Sequence, residues 1–453
     1  MTRKLLAALL VFSLFSLSPA LTFAQSTHNS QPKPLVFTHV TVIDVTGAPA
    51  RPDMTIVVSG ESIVALGKTG KVRIPKDAQV INAAGKFLIP GLWDMHTHLS
   101  FYADTKQPPF TAFPALIANG VTGVRDMGGR LEQIDRWRKE IADGTITGPR
   151  IFQAGAYVDG QKEMSEFRAS LTIVVNNPEE ARRAVVAQKQ RRVDFIKVHN
   201  GVSREAYLAL AAECRKQKLL LATHLPRSVR VAEASDAGTK SLEHIETLIE
   251  SVAFDVAAGE KTKDPLAAMD EFTDEKATAL FARFAKNGTY FVPTLSSYRS
   301  FVQDAERLVA TDAKYKPAAE GRKKLFQRFV QLVGLMQRSG VNVLAATDFA
   351  DKSGGRRPDV SPGFTLHDEL ALFVEAGMTP MQALQTATLN PAKYLNIRKN
   401  YGTVEKGKIA DLVLLEANPL DNIKNTRRID ALVLNGKYLA KEVLQKLLAD
   451  AGK

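Results

Sequence analysis

A single cysteine, Cys214, is all the thiol chemistry in this chain of 453 residues. That excludes an internal disulfide framework and any cysteine-held zinc or iron–sulfur site. A bound metal would have to rest on histidine and carboxylate. Long apolar runs are also missing after the first two dozen residues, and a membrane helix needs about 20 such residues, so no membrane span is expected. No short period repeats along the chain, which argues against a solenoid. Basic charge is in excess, at +12, but it is not clustered: acids interleave with it, as in Asp135-Arg-Trp-Arg-Lys-Glu140. Such patterning reads as a solvated surface and not as a nucleic-acid footprint.

What is present is an ordinary globular balance, 45% hydrophobic and 24% charged, in a length that admits one large barrel or two domains. The start differs. Arg3 and Lys4 precede an uncharged stretch from Leu5 to Leu17, and Thr22-Phe-Ala24 supplies small residues for cleavage. This predicts a signal peptide over 1–24, a flexible leader over 25–34, and a mature protein that is secreted or periplasmic. A lone cysteine suits that oxidising compartment, because it has nothing to mispair with.

Short β-rich runs fill 35–87, and similar runs return in 401–453, where Asn435-Gly436 signals a hairpin. The two ends are expected to join in a small β-sandwich, with a helix closing the chain. Between them, over 88–400, buried-looking strands alternate with helical patterns about eight times, as in parallel βαβ units. The strands are read at 87–98, 121–126, 150–157, 194–198, 219–224, 241–245, 289–294 and 341–347. The fold class expected is α/β: a (β/α)8 TIM barrel carrying a β-sandwich built from both chain ends.

Barrel enzymes place chemistry at the carboxyl ends of strands, and polar residues recur there. The first strand ends in His96-Thr97-His98, whose alternate residues point to one side and can reach one metal. Lys197 sits in the apolar run Phe195-Ile-Lys-Val198, where a bare ammonium is costly and needs an anionic partner or a modification. The fifth strand ends in His224, the sixth carries His244, and the eighth ends in Asp348. Singly, each has an ordinary alternative: a chance His-x-His, a hydrogen-bonded core histidine, an aspartate capping a helix. All of them at strand ends together favours a metal site.

At this point the chain resembles the amidohydrolase superfamily over essentially its whole mature length. The matching residues are Pro90 to His98, Gly120 to Asp126, Phe195 to Val198, Ala222 to His224, Ser241 to His244, Ala346 to Asp348 and Gly407 to Val413. Thr379 to Pro391 is similar to the closing helix of the exported imidazolonepropionase-like and prolidase-like branch. The resemblance implies two divalent metal ions, usually zinc. His96, His98 and Asp348 would bind one and His224 and His244 the other, with Lys197, carboxylated by carbon dioxide, bridging both. It further implies hydrolysis of C–N bonds in small N-acyl amino acids or dipeptides by a metal-activated hydroxide, with Asp348 as proton shuttle. Lactones, phosphotriesters and cyclic amides are alternative substrates for the same ligands. A deaminase is disfavoured, because Arg227 stands where that type carries a glutamate. A non-enzymatic exported binder would have no use for the full ligand set. For a substrate carboxylate the candidates are Arg227, Arg356 and Arg357, with His199 and His367 as further contacts. The partner expected is a small molecule, and homo-oligomerisation is compatible with the sequence.

Overall fold

In the computed structural model, residues 33–100, 112–160, 169–255, 260–261, 263–350 and 361–451 are described. The signal peptide expected over 1–24, the leader expected over 25–34 as far as residue 32, and Arg356 and Arg357 lie outside them. Among the described residues no helix is long and apolar enough to cross a membrane.

The alternating pattern at the two chain ends builds one eight-stranded sheet. From one edge its order is Lys437–Ala440, Ile429–Leu434, Leu412–Leu415, Phe87–Pro90, Leu35–Val42, Arg51–Ser59 and Ser62–Lys68, with Gln79–Asn82 added on Leu35–Val42. The ends meet where Leu412–Leu415 runs antiparallel to Phe87–Pro90. Asn435 and Gly436 both take positive φ, 47° and 77°, and Leu434 pairs with Lys437, the geometry a two-residue hairpin loop requires. The outer strand returns to the C-terminal half through Ile63 N to Lys408 O (2.9 Å) and Ala410 N to Glu61 O (2.7 Å). The sheet thus curls around Phe37, Ile56, Leu88, Leu412 and Val433.

The middle of the chain is mixed α/β with parallel sheets. One has the order Phe349–Ala350, Leu92–His98, Val121–Asp126, Arg150–Gln153; the other has Thr172–Val174, Tyr157–Asp159, Phe195–Val198, Leu220–Thr223, Ser241–Glu243, Tyr290–Val292. Helices cross between these strands, and strands covered on both faces need near-continuous apolar runs. Helix starts are set by side-chain caps: Asn177 for Pro178–Gln190, Ser203 for Arg204–Gln217 and Thr273 for Asp274–Asn287. The margins of the two sheets are bridged. Asp194 N donates to Gln153 O (2.9 Å), Leu344 N to Phe291 O (2.9 Å), and Met95 N to Ala345 O (3.0 Å).

Three expected strands come out differently, and one of them, 150–157, divides into Arg150–Gln153 and Tyr157–Asp159 in different sheets. The run 87–98 is divided at Gly91, so that Phe87–Pro90 joins the terminal sheet and Leu92–His98 the parallel one. Any side chain at 91 would collide with Thr122. The run 341–347 is irregular, with one bridge from Val343 to Phe291. Its amides go to unrelated partners: Leu344 N to Phe291 O, Ala345 N to Thr386 O and Thr347 N to Asp94 Oδ1. A regular ladder would forbid that scatter.

Candidate metal centre

Within Leu92–His98 the two-residue period turns His96 and His98 to one side, and their rings lie 5.3 Å apart. Asp348 reaches them because Asp94, fully buried on the same strand, ties down the irregular segment before it. Asp94 Oδ1 accepts the amides of His96 (3.2 Å) and Thr347 (3.1 Å), and Oδ2 accepts the Thr347 hydroxyl (2.6 Å). Phe349 and Ala350 then pair with Thr97 and His98. Asp348 Oδ1 consequently stands 3.4 Å from His96 Nε2 and 3.5 Å from His98 Nε2. One donor atom from each of the three residues lies within 4.8 Å of the others. Imidazole nitrogens and a carboxylate oxygen at that spacing are a donor set suited to a divalent cation.

The remaining histidines expected at the site gather beside this triad. Ring centroids are 4.6 Å apart for His96 and His244, 5.0 Å for His244 and His224, and 4.7 Å for His224 and His199. His199 Nδ1 lies 3.2 Å from Asp159 Oδ2. Asp159 Oδ1 accepts the amides of Gly160 (2.9 Å) and Gly201 (2.7 Å), which fixes the carboxylate beneath the ring. His244 Nδ1 and Thr294 Oγ1 are 3.1 Å apart. Buried Glu369 in turn accepts the amides of Leu295 (3.0 Å) and Ser296 (2.6 Å), anchoring the start of Leu295–Thr311 just after Thr294. Asp348, His244 and Thr294 all have positive φ, 52°, 67° and 51°. Left-handed backbone at non-glycine residues is held only where surrounding contacts impose it, and it concentrates at functional sites.

The electrostatics suit cation binding. Burial, with Lys197 and His244 nearby, holds the His96 imidazole well below its usual range despite the opposing pull of Glu243. Enclosure together with His244 and His199 does the same for His224. Neutral imidazoles are the form that ligates. Lys197 is buried, and among the described residues its Nζ has no hydrogen-bond partner. Burial lowers it to about 8, against the attraction of Glu243. Keeping a buried amine charged is costly, which favours its neutral form.

The substrate contacts expected from sequence divide. His199 does join the site. Arg227 is exposed and bound through its backbone amide to Asn200 O (3.1 Å). His367 is a correction: it is fully buried and both ring nitrogens are engaged, Nδ1 with Thr426 Oγ1 (2.9 Å) and Nε2 with Asn119 O (3.1 Å). It pins the helix Phe364–Glu375 to the turn Ile423–Arg427 instead of meeting a ligand. Burial and the nearby Arg427 push it down to about 4. Between its ordinary value near 6.5 and about 4, the unfolded chain therefore binds a proton that the folded chain refuses, and stability falls as pH drops through that window. His367→Asn should remove on the order of 2 kcal/mol of the difference in unfolding free energy between pH 7 and pH 4.5, read by denaturant titration at both. Its turnover at neutral pH should stay within about twofold of wild type.

Asp94, Arg125, Asp159, Glu243 and Glu369 were not singled out by sequence. Asp94, Arg125 and Glu243 are charged residues in apolar strands, the same signal that marked Lys197. Glu243 is fully buried; burial alone would raise it, but Arg125 and His96 keep it well below the carboxylate range.

A model of the amidohydrolase family matches residues 87–439. The ochratoxinase of Aspergillus niger is 26% identical over 393 residues, 74% of this chain and 72% of the relative. The imidazolonepropionase of Pseudomonas syringae pv. tomato is 24% identical over 394 residues, 80% of this chain and 87% of the relative. Among solved structures, a Xaa-Pro dipeptidase with bound methionine in the active site superposes with a TM-score of 0.66 at 22% identity, over 90% of this chain and 100% of that one.

Proposed function

The chain belongs to the amidohydrolase family and is a hydrolase acting on C–N bonds of the amide or cyclic-amide kind; from this premise we propose that it cleaves small N-acyl amino acids or dipeptides. The reading rests on one observation above all. His96, His98 and Asp348 converge with donor atoms within 4.8 Å, beside a buried lysine nitrogen that has no hydrogen-bond partner among the described residues. Two divalent cations, zinc by the imidazole and carboxylate chemistry of the donors, would be held by His96, His98 and Asp348 and by His224 and His244. Cations held there supply Lewis-acid chemistry, acidifying water and polarising the scissile carbonyl.

The chain's own residues do the rest. Lys197, partly neutral because it is buried, adds through its nitrogen to carbon dioxide; the N–C bond forms, the amine proton passes to water, and a carbamate anion replaces an ammonium that would repel cations. Asp348, with Oδ1 toward both imidazoles, takes the proton of the attacking water and hands it to the nitrogen of the leaving amine. His199, fixed by Asp159 and stacked on His224, offers a polar contact to the substrate. In this proposal the two parallel sheets close as a (β/α)8 barrel, and the terminal sheet is a β-sandwich beside it.

The test is a panel of N-acyl amino acids, dipeptides, cyclic amides, lactones, phosphotriesters and aminopurines, assayed on zinc-supplied protein. Open-chain amides should lead in kcat/KM by more than about tenfold, some 1.4 kcal/mol in the transition state. A cyclic-amide preference would move the substrate toward the imidazolonepropionase and dihydroorotase relatives. Preference for lactones or phosphotriesters would overturn the amide reading. Export is part of the same proposal, and intact-mass measurement of protein from its native host should find a chain lacking Met1 to Ala24. A mature chain that retains them would refute it.

A further inference from the structure

Beneath the histidine cluster lies a buried ion pair that the proposed reaction does not use. Arg125, on Val121–Asp126, and Glu243, on Ser241–Glu243, are both fully inaccessible. Arg125 Nη2 donates to both carboxylate oxygens, at 2.9 and 2.8 Å. Its Nη1 donates to Ser241 Oγ (3.0 Å) and Tyr394 OH (2.8 Å), and its Nε to Met95 O. The guanidinium also stacks near the rings of Tyr394 and Phe195, at 5.0 and 5.5 Å. The Ser241 hydroxyl donates to Glu243 Oε1 at 2.6 Å.

An ion pair this deep is weak evidence of stabilisation, since apolar residues of the same volume usually do as well or better. Glu243 spends its other oxygen on something specific: Oε2 lies 2.9 Å from His96 Nδ1. A carboxylate paired with a guanidinium can only accept hydrogen bonds. The hydrogen of neutral His96 must then sit on Nδ1. That leaves the lone pair on Nε2, the nitrogen that faces Asp348 at 3.4 Å.

We propose that the Arg125–Glu243 pair is a positioning device for His96, locking its ring orientation and its Nδ1–H tautomer so that Nε2 is presented as a metal donor. The inference rests on the metal-dependent reading above. Arg125 balances the charge of Glu243, so the carboxylate serves as a fixed acceptor instead of entering the site as a competing ligand. Such outer partners of a ligating histidine are worth about 10- to 100-fold in metal affinity.

Two measurements test it on the full-length protein. In metal-free wild type, nitrogen-15 NMR of the imidazoles, with His96 identified by its loss in His96→Asn, should find hydrogen on Nδ1 alone. Hydrogen on Nε2 would overturn the proposal. Zinc affinity, measured by chelator competition, should fall about 10- to 100-fold in both Glu243→Gln and Glu243→Asp. The aspartate retains a charge for Arg125 but withdraws the oxygen from His96. Folded variants that lose thermal stability yet bind zinc within about twofold of wild type would show a merely structural pair and would also overturn it. If the variants do not fold, the wild-type tautomer decides alone. Absence of zinc binding by wild type would sink the metal-dependent reading itself, while the tautomer would still stand or fall by its own spectrum.

Discussion

Lys197→Ala should lose at least about 10³-fold in kcat/KM, some 4 kcal/mol of transition-state stabilisation, and should lose bound metal with it. The residue lies in the four-residue strand Phe195–Val198, every member of which is buried. Among the described residues its nitrogen has no hydrogen-bond partner, while the His96 and His224 imidazoles feel its charge and His244 stands beside both rings. An ammonium there would oppose every cation the histidines could attract. A carbamate on the same nitrogen reverses the sign and supplies two oxygens. Removal of the side chain deletes the anion and leaves a cavity of the right polarity for a short carboxylic acid, so acetate or propionate should restore part of both metal content and activity. Metal per chain by elemental analysis, with activity measured with and without the acid, gives the readout. Full metal content and near-wild-type activity in Lys197→Ala would defeat the bridging role and leave a single-metal mechanism on His96, His98 and Asp348.

Asp348→Asn should reduce kcat by about 10²- to 10⁴-fold, the usual worth of a positioned general acid–base, with KM changed much less. The substitution is close to isosteric, and asparagine adopts positive φ as readily as aspartate, so the strained 52° backbone at this position does not by itself penalise the variant. An amide oxygen can still face His96 and His98, but it cannot carry a proton from water to the leaving amine. Steady-state kinetics on the best amide of the panel, beside metal analysis of the same preparation, separates the two roles. A variant with wild-type kcat would remove Asp348 from proton transfer. A variant devoid of metal would show that ligation is its dominant contribution.

These two residues also show how far local sequence carries. Lys197 stands out because one charge interrupts an apolar strand, and His96 and His98 because strand geometry aligns alternate residues. Asp94, Arg125 and Glu243 sit in strands just as apolar, yet their roles were not legible. Arg125 meets a carboxylate 118 residues away and Asp94 an amide and hydroxyl 253 residues away. His367 failed in the opposite direction. Its place at the start of a helix after a glycine-rich loop looked like a ligand contact, whereas Thr426 and Asn119, distant in sequence, claim both its nitrogens.

By itself, then, the sequence determined the parallel α/β alternation, the joining of the two chain ends, and where histidine, lysine and aspartate side chains fall near strand ends. These follow from hydrophobic period and residue type, properties confined to a few neighbouring positions. The tertiary structure alone decided that Asp348 comes to His96 by way of Asp94, that Glu243 meets His96 at Nδ1, and that His367 is a structural clamp. Each depends on strand register and on irregular backbone such as 342–347, where hydrogen-bond partners are chosen by packing across hundreds of residues and no local pattern encodes the choice.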